Sequence, residues 1–175
     1  MPNRPTTTTT TPTGPPTGAA GCWRTAAPLF VRFPRTRPRT AVVVLHDAYG
    51  LTEPIEHCCR ALARSGHVAV APYLYYETGG KEFRPDNEET ARAAMSLLAA
   101  DDLAADIAGA LDHLASRLGI PARATGALGV GETGPLATRA AAEHDLAAAV
   151  ECDPLDESSA ADAARAIRLL DARLP

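Results

Sequence analysis

Gly126-Ala127-Leu128-Gly129-Val130-Gly131-Glu132-Thr133-Gly134 decides how the rest of the chain is read. The residues up to Val130 form a short apolar run of strand length, and Pro135 opens an alanine-rich helix that runs to Glu143. A glycine-dense turn between them marks the junction of a βα unit. Its second half, Gly129 to Gly134, spells G-x-G-x-x-G, a turn that can cradle a pyrophosphate at a helix start. Glu151 and Asp153 follow about 20 residues later, where a ribose-binding acid belongs. Against this reading, the turn comes after two βα units and only one strand follows it. Two mononucleotide-binding halves cannot be built from what remains.

Working outward from the turn, strands and helices alternate. Ala41-Val42-Val43-Val44-Leu45 is continuously apolar and β-branched, as a central parallel strand is. It ends in His46-Asp47-Ala48-Tyr49-Gly50, at the strand edge where open α/β sheets place their chemistry. A helix from Pro54 to about Ser65 precedes a second buried strand, Val68 to Ala71, stopped by Pro72. Asp86 or Asn87 caps a helix, Asp101 or Asp102 opens another, and Leu146 to Val150 is the fourth parallel strand. A further possible strand lies in Trp23 to Phe33, and Ser158 or Ser159 caps a last helix with Ile167, Leu170 and Leu174 inward. Such alternation predicts a doubly wound, mostly parallel sheet of the α/β class.

Residues 1–22 are rich in Thr, Pro and Gly, can bury almost nothing, and are expected to be a disordered tail on a single domain spanning 23–175. Charge is divided unevenly. Residues 1–40 carry six Arg and no acid, so the net −4 of the chain is +6 there and −10 beyond. An acidic body argues against nucleic acid as a partner. Arg32, Arg35, Arg37 and Arg39, broken up by Pro34 and Pro38, read as a solvated turn, with an anion-binding arm as the other reading. Cys22, Cys58, Cys59 and Cys152 lack C-x-x-C spacing, so no metal site, no redox pair and no cofactor is indicated. They suit a reducing cytoplasm, and no apolar run approaches the length of a membrane span. His57, His67, His113 and His144 fall on helices or their ends and read as surface or boundary residues.

From Ala41 to Val150 the sequence resembles the dienelactone hydrolase family of α/β-hydrolases. The likeness lies in landmarks in the right order: His46-Asp47-Ala48-Tyr49-Gly50-Leu51 after a strand, then Val68 to Tyr76, then the Asp101 to Leu114 helix, then Leu128 to Gly134. The resemblance implies ester or lactone hydrolysis through an acyl-enzyme, on a small-molecule substrate. It places the nucleophile at Gly131, which has no nucleophilic atom. It also implies oxyanion donors at the amides of Ala48 and Glu132, and an acid at Asp47, one carbon shorter than the family's usual Glu. Glu77 stands near the place of a substrate-binding Arg in some members, and would repel an anion.

The family's later triad residues lie beyond Val150, and residues 151–175 hold no His. The expectation is therefore an α/β-hydrolase type sheet cut short at its C-terminal end, with nucleophile and base both missing. A truncated or decayed relative without catalysis is the favoured reading. The alternatives are a non-catalytic small-molecule-binding module, or nucleotide (NAD-type) binding through Gly129, Gly131 and Gly134. Pocket candidates are His46, Asp47, Tyr75, Tyr76 and Cys152; no catalytic residue is intact. Thr133 is expected to cap the helix that follows it, and a sheet edge left exposed without later strands predicts poor solubility or self-association.

Overall fold

A computed structural model describes residues 27–78, 80, 82–156 and 158–175. The expected tail, together with Cys22 and Trp23, lies outside the described residues. The strands are β1 (Leu29–Arg32), β2 (Ala41–Leu45), β3 (Val68–Pro72), β4 (Thr125–Val130) and β5 (Ala148–Cys152). The α-helices are α1 (Glu53–Arg64), α2 (Glu88–Ser96), α3 (Ala100–Leu118), α4 (Gly134–Glu143) and α5 (Ala160–Asp171). The sheet order is β1-β3-β2-β4-β5, with β1 antiparallel to β3 and every other pair parallel.

Alternation along the strands divides the core in two. Val42 and Val44, with Leu128, Val130 and Val150, meet Ile55, Cys59 and Leu62 of α1 and Ile167 and Leu170 of α5. On the other face, Val43, Leu45 and Val70 meet Ile107, Ala110 and Leu114 of α3 and Ala137 and Ala140 of α4. All five residues of β2 are buried, because helices cover both sides of it. Among the described residues no helix is long and apolar enough to cross a membrane.

Three details differ from the sequence reading. β5 starts two residues later than expected, at Ala148. Leu146 donates its amide to Ala141 O, and Asp145 turns left-handed with φ 52°, so both still belong to the exit of α4. α3 opens at Ala100, one residue before Asp101, which places Asp101 and Asp102 in its first turn, where their charge suits the helix dipole. His67 is 7% exposed rather than a surface residue: Nδ1 lies 2.6 Å from Thr40 Oγ1 and Nε2 2.6 Å from Asp171 Oδ1. It thereby ties the end of α5 to the starts of β2 and β3.

The turn after β4 is tight enough to exclude side chains. A methyl at Gly129 would stand 2.4 Å from Thr133 O and 2.6 Å from Gly134 Cα, both backbone atoms that cannot move aside. At Gly126 a methyl meets Leu170 Cδ2 at 2.9 Å, which a rotation of that side chain relieves. Gly129→Ala is therefore expected to destabilise by about 3 kcal/mol or more and Gly126→Ala by about 1 kcal/mol, measured by urea unfolding. Equal losses at the two positions would contradict this turn geometry.

Candidate functional site

β2, β4 and β5 run parallel, so their carboxyl ends bring Asp47, Gly131 and Cys152 to one edge of the sheet. There Gly131 turns left-handed, φ 57°, in a short 3-10 turn (Gly131–Thr133) before α4. An L-residue adopts that conformation only under strain, whereas glycine adopts it freely. A Cβ at Gly131 would lie 3.1 Å from Asp47 Cβ and 3.1 Å from Pro154 Cγ. The tip is thus closed in from β2 and from the loop after β5 alike.

Thr133 does not cap α4. Its hydroxyl donates towards Leu45 O (2.8 Å) and Val130 O (2.9 Å) and accepts from Val130 N (3.0 Å). These bonds seal the ends of β2 and β4, and at 2% exposure the group is closed to substrate.

A cavity of about 460 Å³ opens beside the turn, lined by Gly131, Glu132, Glu151, Cys152, Asp153 and Pro154. Three of those six carry carboxyl groups. Glu132 Oε2 accepts from the Ala48 amide at 3.3 Å, so one of the two amides expected to hold an oxyanion already faces a carboxylate. Arg92, from α2, approaches Glu132 Oε1 at 3.9 Å while also pairing with Glu88 at 2.9 Å. Glu151 lies against the start of α4: its Oε2 would be 3.0 Å from a methyl on Gly134, and its Oε1 accepts from Thr138 at 2.7 Å. Among the described residues no cluster of three His, Cys, Asp or Glu side chains could hold a metal ion.

The remaining sequence candidates fall on both sides of the site's boundary. Cys152 and Glu132 line the cavity, as Gly131 does. The Cys152 thiol is pushed up to about 11, by burial first and then by Asp153, Asp162 and Asp47, which leaves it protonated at neutral pH. Asp47 is 1% exposed; Oδ1 accepts from Tyr49 N at 3.0 Å, and Oδ2 has no hydrogen-bond partner of good geometry among the described residues. Burial pushes its carboxyl up to about 6, and Glu132 adds to this against the amides of Tyr49 and Leu155. His46 and Tyr75 face into the core instead. Tyr75 donates to Ala48 O at 2.9 Å and packs edge-on against Phe83, so it props the loop that carries the Ala48 amide. Tyr76 donates to Glu77 at 3.0 Å, outside the residues that line the cavity.

His46 is committed on both ring nitrogens. Nε2 accepts from Leu74 N at 3.2 Å, so Nδ1 carries the proton and donates to Asp47 O at 2.9 Å. Burial pulls its pKa down to about 4. A neutral, fully hydrogen-bonded imidazole has no lone pair left to take a proton from water. Arg92, Glu151 and Pro154 were not singled out from the sequence. Glu88 and Arg92 do show helical i,i+4 spacing, but nothing local says that Arg92 reaches across to Glu132.

A model of the dienelactone hydrolase family matches residues 29–168. A protein of Yersinia pestis provisionally named carboxymethylenebutenolidase is 36% identical over 64 residues, 35% of this chain and 24% of that one. Its namesake in Escherichia coli K12 is 33% identical over 79 residues, 45% of this chain and 28% of that one. The matched stretch thus spans about a quarter of either relative. A dienelactone hydrolase-like promiscuous phosphotriesterase from metagenomic libraries superposes with TM-score 0.54 at 21% identity, over 81% of this chain and 66% of that one. A cold-adapted esterase from an Arctic intertidal metagenomic library gives TM-score 0.56 at 20% identity, over 71% and 54%. These two likenesses show the α/β-hydrolase fold.

The neighbouring side chains of His46 and Asp47 titrate against each other. From pH 6.5 down to about 4 the unfolded chain protonates His46 and the folded protein does not, so His46 removes stability as acid is added. Between 3.8 and about 6 the folded protein holds a proton on Asp47 that the unfolded chain has released, so Asp47 adds stability over the same descent. Their slopes largely cancel. Asp47→Asn keeps an acceptor for Tyr49 N and leaves His46 unopposed. It is expected to be more stable than the parent at pH 7 by roughly 3 kcal/mol, and to lose that advantage towards pH 4. Urea unfolding at pH 4, 5, 6 and 7 checks this; parallel curves for the two proteins would refute it.

Proposed function

The chain belongs to the dienelactone hydrolase family, and we propose that it keeps the family's carbonyl-binding edge without forming an acyl-enzyme at the elbow. The observation that carries this reading is Gly131. It takes the left-handed turn that the family's nucleophile position requires, and Asp47 and Pro154 close in on the space a side chain would fill. Covalent hydrolysis there needs an atom that glycine lacks. No neighbour supplies one: the Thr133 hydroxyl is spent on Leu45 and Val130, and the Cys152 thiol is held protonated. Neither does a base stand ready, since His46 uses both nitrogens.

A non-catalytic binding role for a neutral small molecule such as a lactone is the second reading. The Ala48 amide favours it, because it already donates to an oxygen, that of Glu132, as it would to a bound carbonyl. The nucleotide alternative is disfavoured by Glu151. A pyrophosphate approaching Gly134 would meet that carboxylate, and its charge would be repelled where the glycine turn should attract it.

Stopped-flow hydrolysis of p-nitrophenyl acetate separates these ideas, alongside mass spectrometry after exposure to a fluorophosphonate. The expected result is no burst of p-nitrophenol, no covalent adduct, and a slow rate that Cys152→Ala leaves unchanged. A burst stoichiometric with protein, or an adduct on any residue of 46–155, would overturn the proposal. Calorimetric binding of NAD below about 1 mM, abolished by Gly131→Val, would instead promote the nucleotide reading.

A further inference from the structure

At the opposite end of the sheet lies a second cavity, of about 740 Å³, lined by Arg32, Phe33, Pro34, Arg35, Thr36, Arg60, Ala63, Arg64 and Gly66. Its arginines come from two segments: the end of β1 with the turn that follows it, and the last two turns of α1. Among the lining residues there is no acid. From this gathering of guanidinium groups in a concave, acid-free pocket, we infer that the protein binds a small phosphate monoester here.

Ordinary structural roles account for only part of the set. Arg60 pairs with Glu56 at 2.7 Å, one helical turn back. Arg32 donates Nη1 to Val31 O at 3.1 Å and lays its guanidinium 4.0 Å above the Phe30 ring, which fixes its plane. Arg64 stands in the last turn of α1, where a cation suits the helix dipole. Yet Arg35 and Arg64 have no carboxylate within ion-pair distance among the described residues. Beyond residue 40 the chain carries a net charge of −10, so acids were available to neutralise them. Arg60 keeps its Glu56 partner, but Arg32, Arg35 and Arg64 bring three further like charges to the hollow, and these repel each other unless an anion enters.

The shape of the hollow selects the ligand class. Its volume lies within the range of small-molecule sites, roughly 300–1,000 Å³. A phosphate monoester offers three terminal oxygens and up to two charges, so it can pair with more than one guanidinium at once, which favours it over a single carboxylate. Among the described residues Phe33 is one of few large apolar side chains left exposed, at 56%, and it shares this pocket with the arginines. An aromatic wall beside a phosphate site suits a ligand with an apolar or ring-shaped body. A long polyanion such as nucleic acid would run from the pocket onto an acidic body that repels it.

Titration calorimetry of the full chain in about 50 mM salt, with phenyl phosphate and with inorganic phosphate, tests the inference. Phenyl phosphate is expected to bind with a Kd below about 1 mM and more tightly than inorganic phosphate. Arg35→Ala/Arg64→Ala alters two exposed side chains and is expected to weaken both ligands at least about tenfold. Phe33→Ala should weaken phenyl phosphate alone, and Arg117→Ala, an exposed arginine elsewhere, should change neither. Absence of binding at about 10 mM, or affinity indifferent to the double variant, would overturn the site. Tighter binding of a single-stranded 20-nucleotide DNA than of phenyl phosphate would overturn the ligand class.

Discussion

The hydroxyl of Thr133 meets the carbonyl of Leu45 at 2.8 Å, and the geometry of the carboxyl edge depends on that contact. The same oxygen serves both the amide and the carbonyl of Val130, so one side chain closes the ends of the two central strands. For the hydroxyl to reach back, the chain must reverse within three residues of β4. That reversal forces Gly131 to a positive φ and presses the backbone of Thr133 and Gly134 onto Gly129. A side chain at Gly129 would overlap the backbone of Thr133 and Gly134, and one at Gly131 would be strained by its positive φ. The turn is therefore built for a sharp corner, with or without chemistry at its tip.

Because the corner holds with glycine at its tip, the fold does not depend on a side chain there. Asp47 and Pro154 come within contact distance of the vacant side-chain position, and Glu132 turns onto the Ala48 amide. A carbonyl substrate would have to displace that carboxylate and enter among Glu132, Glu151 and Asp153. The environment also works against nucleophile activation. Burial and neighbouring acids push both Asp47 and Cys152 towards their protonated forms, opposite to the shift that an activated thiol requires.

The parallel core was legible because its signal is local: unbroken β-branched runs at Ala41–Leu45 and Val68–Ala71, and a helix after each strand. The tight turn between β4 and α4 was legible for the same reason, since glycine spacing and Pro135 are adjacent in sequence. What could not be read was long-range pairing between polar side chains. His67 looked like a helix-end residue until Thr40 and Asp171, 27 and 104 positions away, were seen to hold it. Thr133 looked like a cap because its partner Leu45 is 88 residues distant. His46 stood among the pocket candidates because its donor, the Leu74 amide, belongs to another strand's exit loop. In each case the residue type was visible and the partner that set its role was not.

The two ends of the sheet also differ in charge, and the helices explain part of the difference. In a parallel α/β layer the helices start near the carboxyl edge of the sheet and end near its amino edge, so their dipoles make the first edge positive and the second negative. Glu53 and Glu56 in the first turn of α1, and Glu88 and Glu89 in that of α2, are placed to suit this field. Arg64, Arg117 and Arg168 in the last turns of α1, α3 and α5 answer it at the other end. Each such placement is worth about 0.3–1 kcal/mol, enough to bias a sequence but not to assemble a pocket. Arg32 and Arg35 stand on a strand end and in a turn, where no helix dipole recruits them. Their arrival beside Arg60 and Arg64 exceeds what the fold's own electrostatics supplies, and that excess sets the amino edge apart from the carboxyl edge.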